Sequence, residues 1–266
     1  MKYITYKQDG GRSGHKLKDI FSAYLFSFLI PDTEAHADSS WQSQKILQFE
    51  PSPPINFENV IKIKNDRTYF DGIPFDVFKD IAQKIKMAPE SSLIELHGVI
   101  RVHPFQLTEW YESGLIEQDL FLSKFIPKIR QIYYKDQEPN LKKRLSIHIR
   151  RGDIANEEVL GPMFWPVEYY DDQICSFRAK YPDLPIYVFS EKLFSEDLFS
   201  LKRYDNLKLI FGDYQSLICD ISDMINSEFF MPCNSSLSTW ISYISYGKII
   251  MPKNKHIKHF HSEHIW

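Results

Sequence analysis

Two adjacent arginines, Arg150 and Arg151, close the stretch Arg144-Leu-Ser-Ile-His-Ile-Arg-Arg-Gly-Asp153, with His148 two positions ahead of the first. A guanidinium is a planar fork of donors, and two of them side by side suit an anion such as a diphosphate. Histidine adds a group that donates or accepts near neutral pH. The plain alternative is a surface Arg-Arg salt-bridged to Asp153. Three other polar clusters bear on the choice: Ser190-Glu191, Gly212-Asp213 and Asn234-Ser235-Ser236, with Ser238 just beyond. Hydroxyls and free N–H groups at an opening helix can cradle phosphate oxygens, whereas ordinary N-capping by Ser235 or Ser236 accounts for one serine and not the group. Glu191 could accept hydrogen bonds from a purine edge or a ribose, or cap the start of a helix. Asp220 and Asp223, three apart on one helix face, either orient Arg150 or Arg151 or are solvated helix charges. His97 and His103 read as satisfied structural histidines, since nothing at metal or triad spacing accompanies them.

These residues need elements to hold them. Residues 145–149 are apolar and β-branched, a buried strand that delivers His148, Arg150 and Arg151 to its C-terminal end before Gly152 turns the chain. Downstream, helices are expected over 166–180, 195–204, 214–227 and 236–246, alternating with strands at 185–190, 207–211, 229–231 and 248–251. Repeated βα units of this length imply a mostly parallel sheet with helices on both faces, and open α/β sheets bind ligands beyond the carboxyl ends of their strands. The polar clusters fall at those ends. Upstream, a strand at 2–7 runs through a glycine turn at 9–14 into a helix from His15, an arrangement that aims backbone N–H groups at an anion. Residues 31–54 read as irregular, 59–64 and 92–102 as strands, and 75–87, 107–114 and 117–134 as helices, the last broken near Pro127. The polar run 135–143 is the candidate linker, giving domains 1–140 and 141–266.

The whole chain narrows the class. Its 266 residues, 43% hydrophobic and 15% aromatic, can build one large or two smaller α/β cores. A net charge of -3 and a pI near 6.3 argue against a nucleic-acid partner bound through a basic surface. Cys175, Cys219 and Cys233 form no CxxC pair and no metal-ligand spacing, which suits buried thiols in a reducing compartment. No apolar stretch is long enough for a bilayer and no basic leader precedes a cleavage site, so the expectation is a cytoplasmic protein without a transmembrane segment, peripheral membrane association remaining open.

In combination these segments resemble a known family. His148-Ile-Arg-Arg-Gly-Asp153 resembles the HxRRGD motif of the fucosyltransferase superfamily, most closely its α1,2 branch. Pro166-Val-Glu-Tyr-Tyr170, Tyr187-Val-Phe-Ser-Glu191, Cys233-Asn-Ser-Ser-Leu-Ser-Thr-Trp240 and Gly247-Lys-Ile-Ile-Met-Pro252 are similar to later blocks of that branch, and Gly11-Arg-Ser-Gly14 to its opening GRxGN loop. The resemblance implies a GT-B-like α/β fold, two Rossmann-like domains facing a cleft, with an acceptor-side domain first and a nucleotide-sugar domain second. It implies an enzyme that transfers fucose from GDP-fucose, its donor substrate, to a glycan hydroxyl with inversion, without metal or other cofactor. Donor-binding roles then fall to Gly11, Gly14, His15, His148, Arg150, Arg151, Asp153, Glu191, Asn234, Ser235, Ser236 and Ser238. Arg150 stabilises the leaving diphosphate, His148 and Glu191 meet the nucleotide, Asp153 braces the turn, and Glu158 (or Glu157 beside it) takes the acceptor's proton. Arg151 is either a second clamp or a buried structural pair. Two departures stand out: His15 where the family loop has Asn, and Glu191 where Asp is usual. Transfer to a protein Ser or Thr, use of another GDP-sugar, or a non-catalytic nucleotide-sugar-binding protein are the alternatives.

Overall fold

The computed structural model describes residues 1–7, 13–37, 52–53, 55–65, 72–98, 100, 102, 104–135, 137–151, 165–212 and 216–250. The chain divides into two compact units, Met1–Lys135 and Asp136–Trp266, a division that falls at the start of the polar run 135–143.

The first unit is built on four strands: β1 (Lys2–Tyr6), β2 (Thr33–Ala35), β3 (Asn59–Asn65) and β4 (Ser92–Gly98). They pair in the order β2-β1-β4-β3, every pair parallel. Helix α1 (Ser13–Leu29) links β1 to β2, and α2 (Phe75–Met87) links β3 to β4. Both crossovers step the same way along the sheet, so right-handed connections put both helices on one face. Phe26 of α1 and Phe78 of α2 accordingly pack with ring centroids 5.5 Å apart. That face is the core, with Ile4, Tyr6, Ile94 and Leu96 of the sheet fully buried beneath Leu17, Ile20, Phe21 and Ile85. The opposite face, one residue out of phase along each strand, is mixed: Leu93 is buried and the Tyr3 ring lies 5.5 Å from that of Phe57, beside a charged group. There the Glu95 carboxylate lies 3.2 Å from His97 Nε2, 3.6 Å from Lys7 Nζ and 4.0 Å from Lys62 Nζ. Helix α3 (Pro104–Glu112), a π-helical turn (Phe121–Phe125) and α4 (Ile126–Tyr134) complete the unit, with Pro127 in the first turn of α4, directly after the π-helical turn.

The second unit carries β5 (Lys142–His148), β6 (Ile186–Ser190), β7 (Leu207–Phe211), β8 (Ser227–Met231) and β9 (Lys248–Ile249), in the order β7-β6-β5-β8-β9 and again all parallel. Helices α5 (Val167–Lys180) and α6 (Ser195–Leu201) lead outward to β7, while α7 (Leu217–Ile225) and α8 (Ser236–Ile244) serve the other wing. Strand order therefore reverses at β5. Leu145, Ile147 and Ile149 point into a core with Tyr170, Ile174 and Phe177 of α5 and Leu201 of α6. Arg144, Ser146 and His148 alternate to the side of α7 and α8, where Arg144 Nε donates to Ser227 Oγ at 3.0 Å and its Nη2 to the Asp223 carbonyl at 2.6 Å.

Several sequence expectations change: the strand expected over 92–102 ends at Gly98, and the helix expected over 117–134 is a π-helical turn from Phe121 followed by α4. Helix α1 begins at Ser13, so Gly14 and His15 lie in its first turn rather than in or just after a glycine turn. Residues 33–35, read as irregular, form β2, because three residues suffice to pair beside β1 but are too few to show alternation. The helix expected over 214–227 ends at Ile225, and Ser227 already belongs to β8.

Gly247 precedes β9 where a Cβ would run into the Ser227 carbonyl. Gly247→Ala should lower stability by about 1–3 kcal/mol through overpacking. Chemical denaturation followed by circular dichroism reads this, and an unchanged midpoint would refute the contact.

Candidate functional site

In an open α/β sheet the crevice forms where the strand order reverses, outside the carboxyl ends of the strands. Here that point lies between β5 and β8, and the two chain segments leaving it are His148–Arg151 and Cys233–Ser238. The side chains meet. His148 Nδ1 lies 2.6 Å from Ser238 Oγ and 3.4 Å from Cys233 Sγ, and the Cys233 N–H donates to Ser238 Oγ at 3.1 Å.

The second segment is shaped by the start of α8. Ser235 is its N-cap, in an extended conformation, and its Oγ accepts from the Ser238 N–H at 3.1 Å. One serine thus caps, and another, Ser238, reaches across to His148. Asn234 and Ser236 flank the cap, half-buried at the helix mouth. Partial positive charge gathers there, as at any helix N-terminus.

Charge couples the site together. Burial and the Arg150 guanidinium both push the His148 ring toward its neutral form, but the Cys233 sulfur and the Glu191 carboxylate outweigh them and its pKa is raised. Burial raises the Cys233 thiol, yet His148, with hydrogen bonds from Ser235 and Ser238, brings it down to about 7. Glu191 itself is exposed on the bend after β6, where Ser190 Oγ donates to the Lys192 carbonyl at 2.5 Å and fixes the turn. It caps no helix: α6 starts at Ser195, and its capping carboxylate is Asp197, which accepts from the Phe194 N–H at 2.9 Å.

Arg150 and Arg151 part company. Alternation keeps Arg150 beside His148 and turns Arg151 to the face covered by α5 and α6. Arg151 is 1% exposed; its Nε and Nη2 each lie 2.9 Å from a carboxylate oxygen of Asp197, itself 2% exposed, between the rings of Tyr170 and Phe194. Its Nη1 donates to the Arg150 carbonyl at 3.3 Å. The sequence left Arg151 between a second clamp and a structural pair; the geometry is that of the pair, bracing the backbone from which Arg150 projects.

Other expected residues resolve differently. Asp223 orients neither Arg150 nor Arg151: Lys142 and Arg144 hold it, and although burial opposes them its pKa is lowered. Asp220 sits against Gly212, where a Cβ would strike its carboxylate, and near Ser216 Oγ at 3.5 Å. His97 is paired with Glu95 in the first unit. Gly11, His103, Asp153, Glu157, Glu158 and Asp213 lie outside the described residues. Among the described residues no group of three His, Cys, Asp or Glu is placed to hold a metal ion, and no helix is long and apolar enough to cross a membrane. Sequence reasoning passed over Asp197 and gave Cys233 no role beyond that of a buried thiol heading the Asn-Ser-Ser block. An acidic residue in the first turn of a helix was the available signal for Asp197; for Cys233, adjacency to the Asn-Ser-Ser cluster was.

No protein-family model matches the chain, and no curated protein is similar to it in sequence. The likeness is one of fold. A crystal structure of POFUT1 in complex with GDP matches over 95% of this chain and 99% of that one, at 12% identity and a TM-score of 0.50. The apo form of POFUT1 matches at 11% identity and a TM-score of 0.51. E. coli heptosyltransferase WaaC with ADP also aligns, over 100% of this chain and 92% of that one, at 9% identity and a TM-score of 0.44. The likeness to POFUT1 defines an α/β, GT-B-like class, with parallel sheets in both units.

The Arg151–Asp197 pair is testable without a ligand. Asp197→Ala leaves a buried guanidinium uncompensated and should cost about 3–5 kcal/mol, while the double change Arg151→Met/Asp197→Leu should recover most of it. Guanidinium denaturation of both variants checks this; equal losses would contradict it.

Proposed function

We propose that the protein is a metal-independent, inverting glycosyltransferase that moves fucose from GDP-fucose to a glycan hydroxyl. The observation that carries the reading is the meeting of His148, at the end of β5, with Ser238, at the mouth of α8, across the point where strand order reverses. It joins the two motif blocks whose resemblance suggested a nucleotide-sugar enzyme. Structures of POFUT1 carry GDP and GDP-fucose, which supports a guanine nucleotide as donor here.

The chemistry follows from the groups present. The acceptor oxygen attacks the anomeric carbon, the bond from that carbon to the β-phosphate oxygen breaks, and GDP leaves with the electron pair. Negative charge grows on the diphosphate. Arg150, held by the Arg151 brace, and the N–H groups opening α8 are the fixed positive groups to meet it. The hydroxyl proton passes to Glu158, with Glu157 as substitute. His148 and Glu191 contact the nucleotide, Asn234, Ser235 and Ser236 the phosphates, and Asp153 braces the turn. The resemblance assigns Gly11, Gly14 and His15 of the first unit to donor binding as well. The second unit is thus the donor domain and the first the acceptor side, and no cofactor takes part.

Arg150→Ala should weaken GDP binding about 10- to 100-fold by calorimetry, the range for losing a charged hydrogen-bonding partner. Unchanged affinity would remove Arg150 from the site. Among nucleotide sugars, GDP-fucose should bind or hydrolyse best; preference for a UDP-sugar would overturn the donor assignment. Transfer should survive EDTA, and abolition by chelator with rescue by Mn²⁺ would refute metal independence.

A further inference from the structure

Cys233 has no part in the chemistry above, yet it helps to enclose His148. It lies just past β8, 3% exposed, with Sγ 3.4 Å from both His148 Nδ1 and Ser238 Oγ. The hydrogen bonds there close on themselves. A serine hydroxyl has one proton and two lone pairs. The Cys233 N–H takes one lone pair of Ser238 Oγ; when the ring carries a proton on Nδ1, that N–H across 2.6 Å takes the other, and the hydroxyl proton is left for Cys233 Sγ. Nδ1 is thereby engaged, and among the described residues no hydrogen bond reaches Nε2.

What Nε2 offers then depends on the ring's charge. With Nδ1 protonated, a neutral ring presents Nε2 as an acceptor and a doubly protonated ring presents it as a donor. Moving the proton from Sγ to the ring converts the first into the second without changing the net charge of the pair. We propose that Cys233 is a positioning residue for His148, its sulfur holding the ring doubly protonated so that Nε2–H is offered as a donor to an acceptor oxygen of the bound nucleotide. This rests on the nucleotide-sugar reading and adds to it a residue that decides what His148 can recognise.

The surroundings favour that state. Cys233 beyond β8 and Glu191 beyond β6 both support the protonated ring, while burial and Arg150 beyond β5 oppose it. With a thiol brought to about 7, the sulfur is available as thiolate near neutral pH. From α5, Tyr170 faces Cys233 and stays a neutral phenol, since burial holds its pKa well up. Without the sulfur's charge, Glu191 alone, exposed to solvent, would be set against burial and Arg150.

The test is GDP binding by calorimetry from pH 5.5 to 9 for the wild type, Cys233→Ser and Cys233→Ala. A histidine whose pKa is raised keeps its contribution at low pH and loses it as pH rises through that raised value. The wild-type affinity should therefore hold through neutrality before falling. In both variants the fall should come about one pH unit lower, leaving affinity about tenfold weaker near neutrality. Serine keeps a hydroxyl near Nδ1 without the charge, so its failure to rescue separates charge from packing. Histidine ¹⁵N spectra of the wild type, with His148→Gln for assignment, should show both ring nitrogens protonated at neutral pH, whether or not a variant folds. Variant profiles coinciding with the wild type, rescue by serine, or a neutral His148 ring in the wild type would each overturn the role of Cys233. A wild type that binds no GDP at any pH would instead bring down the nucleotide reading itself.

Discussion

Strand β5 is paired on both sides, with β6 and with β8, and both of its faces are buried. A slip of one residue would drive Arg144, Ser146 and His148 into the apolar core and expel Leu145, Ile147 and Ile149. Register is thus fixed by the core and passed on to the polar residues at the strand's end. His148 meets Ser238 because Ile147 and Ile149 have nowhere else to go. The placement of the second unit's polar cluster is in this sense a by-product of its packing.

The same alternation separates two residues that look equivalent in the sequence. Arg150 and Arg151 are neighbours, and composition offers nothing to tell them apart. Arg150 stays within electrostatic reach of His148, while Arg151 turns toward α6, where Asp197 and two aromatic rings enclose it. Replacing such a pair by apolar residues is often neutral or stabilising, so its presence points to geometry rather than to strength. What it secures is one conformation of the strand end.

Much of the architecture was legible because the apolar pattern of long elements is redundant. Helix α2 and strand β7 fall on the residues their periodicity marked. Short elements were not: β2 has three residues and no pattern, and the start of α1 was obscured by a glycine that reads as a turn and lies inside a helix. Of the candidate site, His148 and the serine cluster could be placed at strand and helix ends, since hydrophobic runs stop there. The partners could not. That Asp197 would reach Arg151 across 46 positions, or Cys233 reach His148 across 85, depends on the order of strands in the sheet. Local sequence carries no record of that order.

The hydrogen bond from Arg151 to the Arg150 carbonyl has an entropic consequence. A flexible cationic arm that must be gathered around an anion loses rotational freedom at the moment of binding, by about 0.5–1.5 kcal/mol for each long side chain immobilised. Here the backbone at the root of Arg150 is already held by a buried guanidinium, itself held by a carboxylate. That part of the ordering is complete when the chain folds, before any ligand arrives.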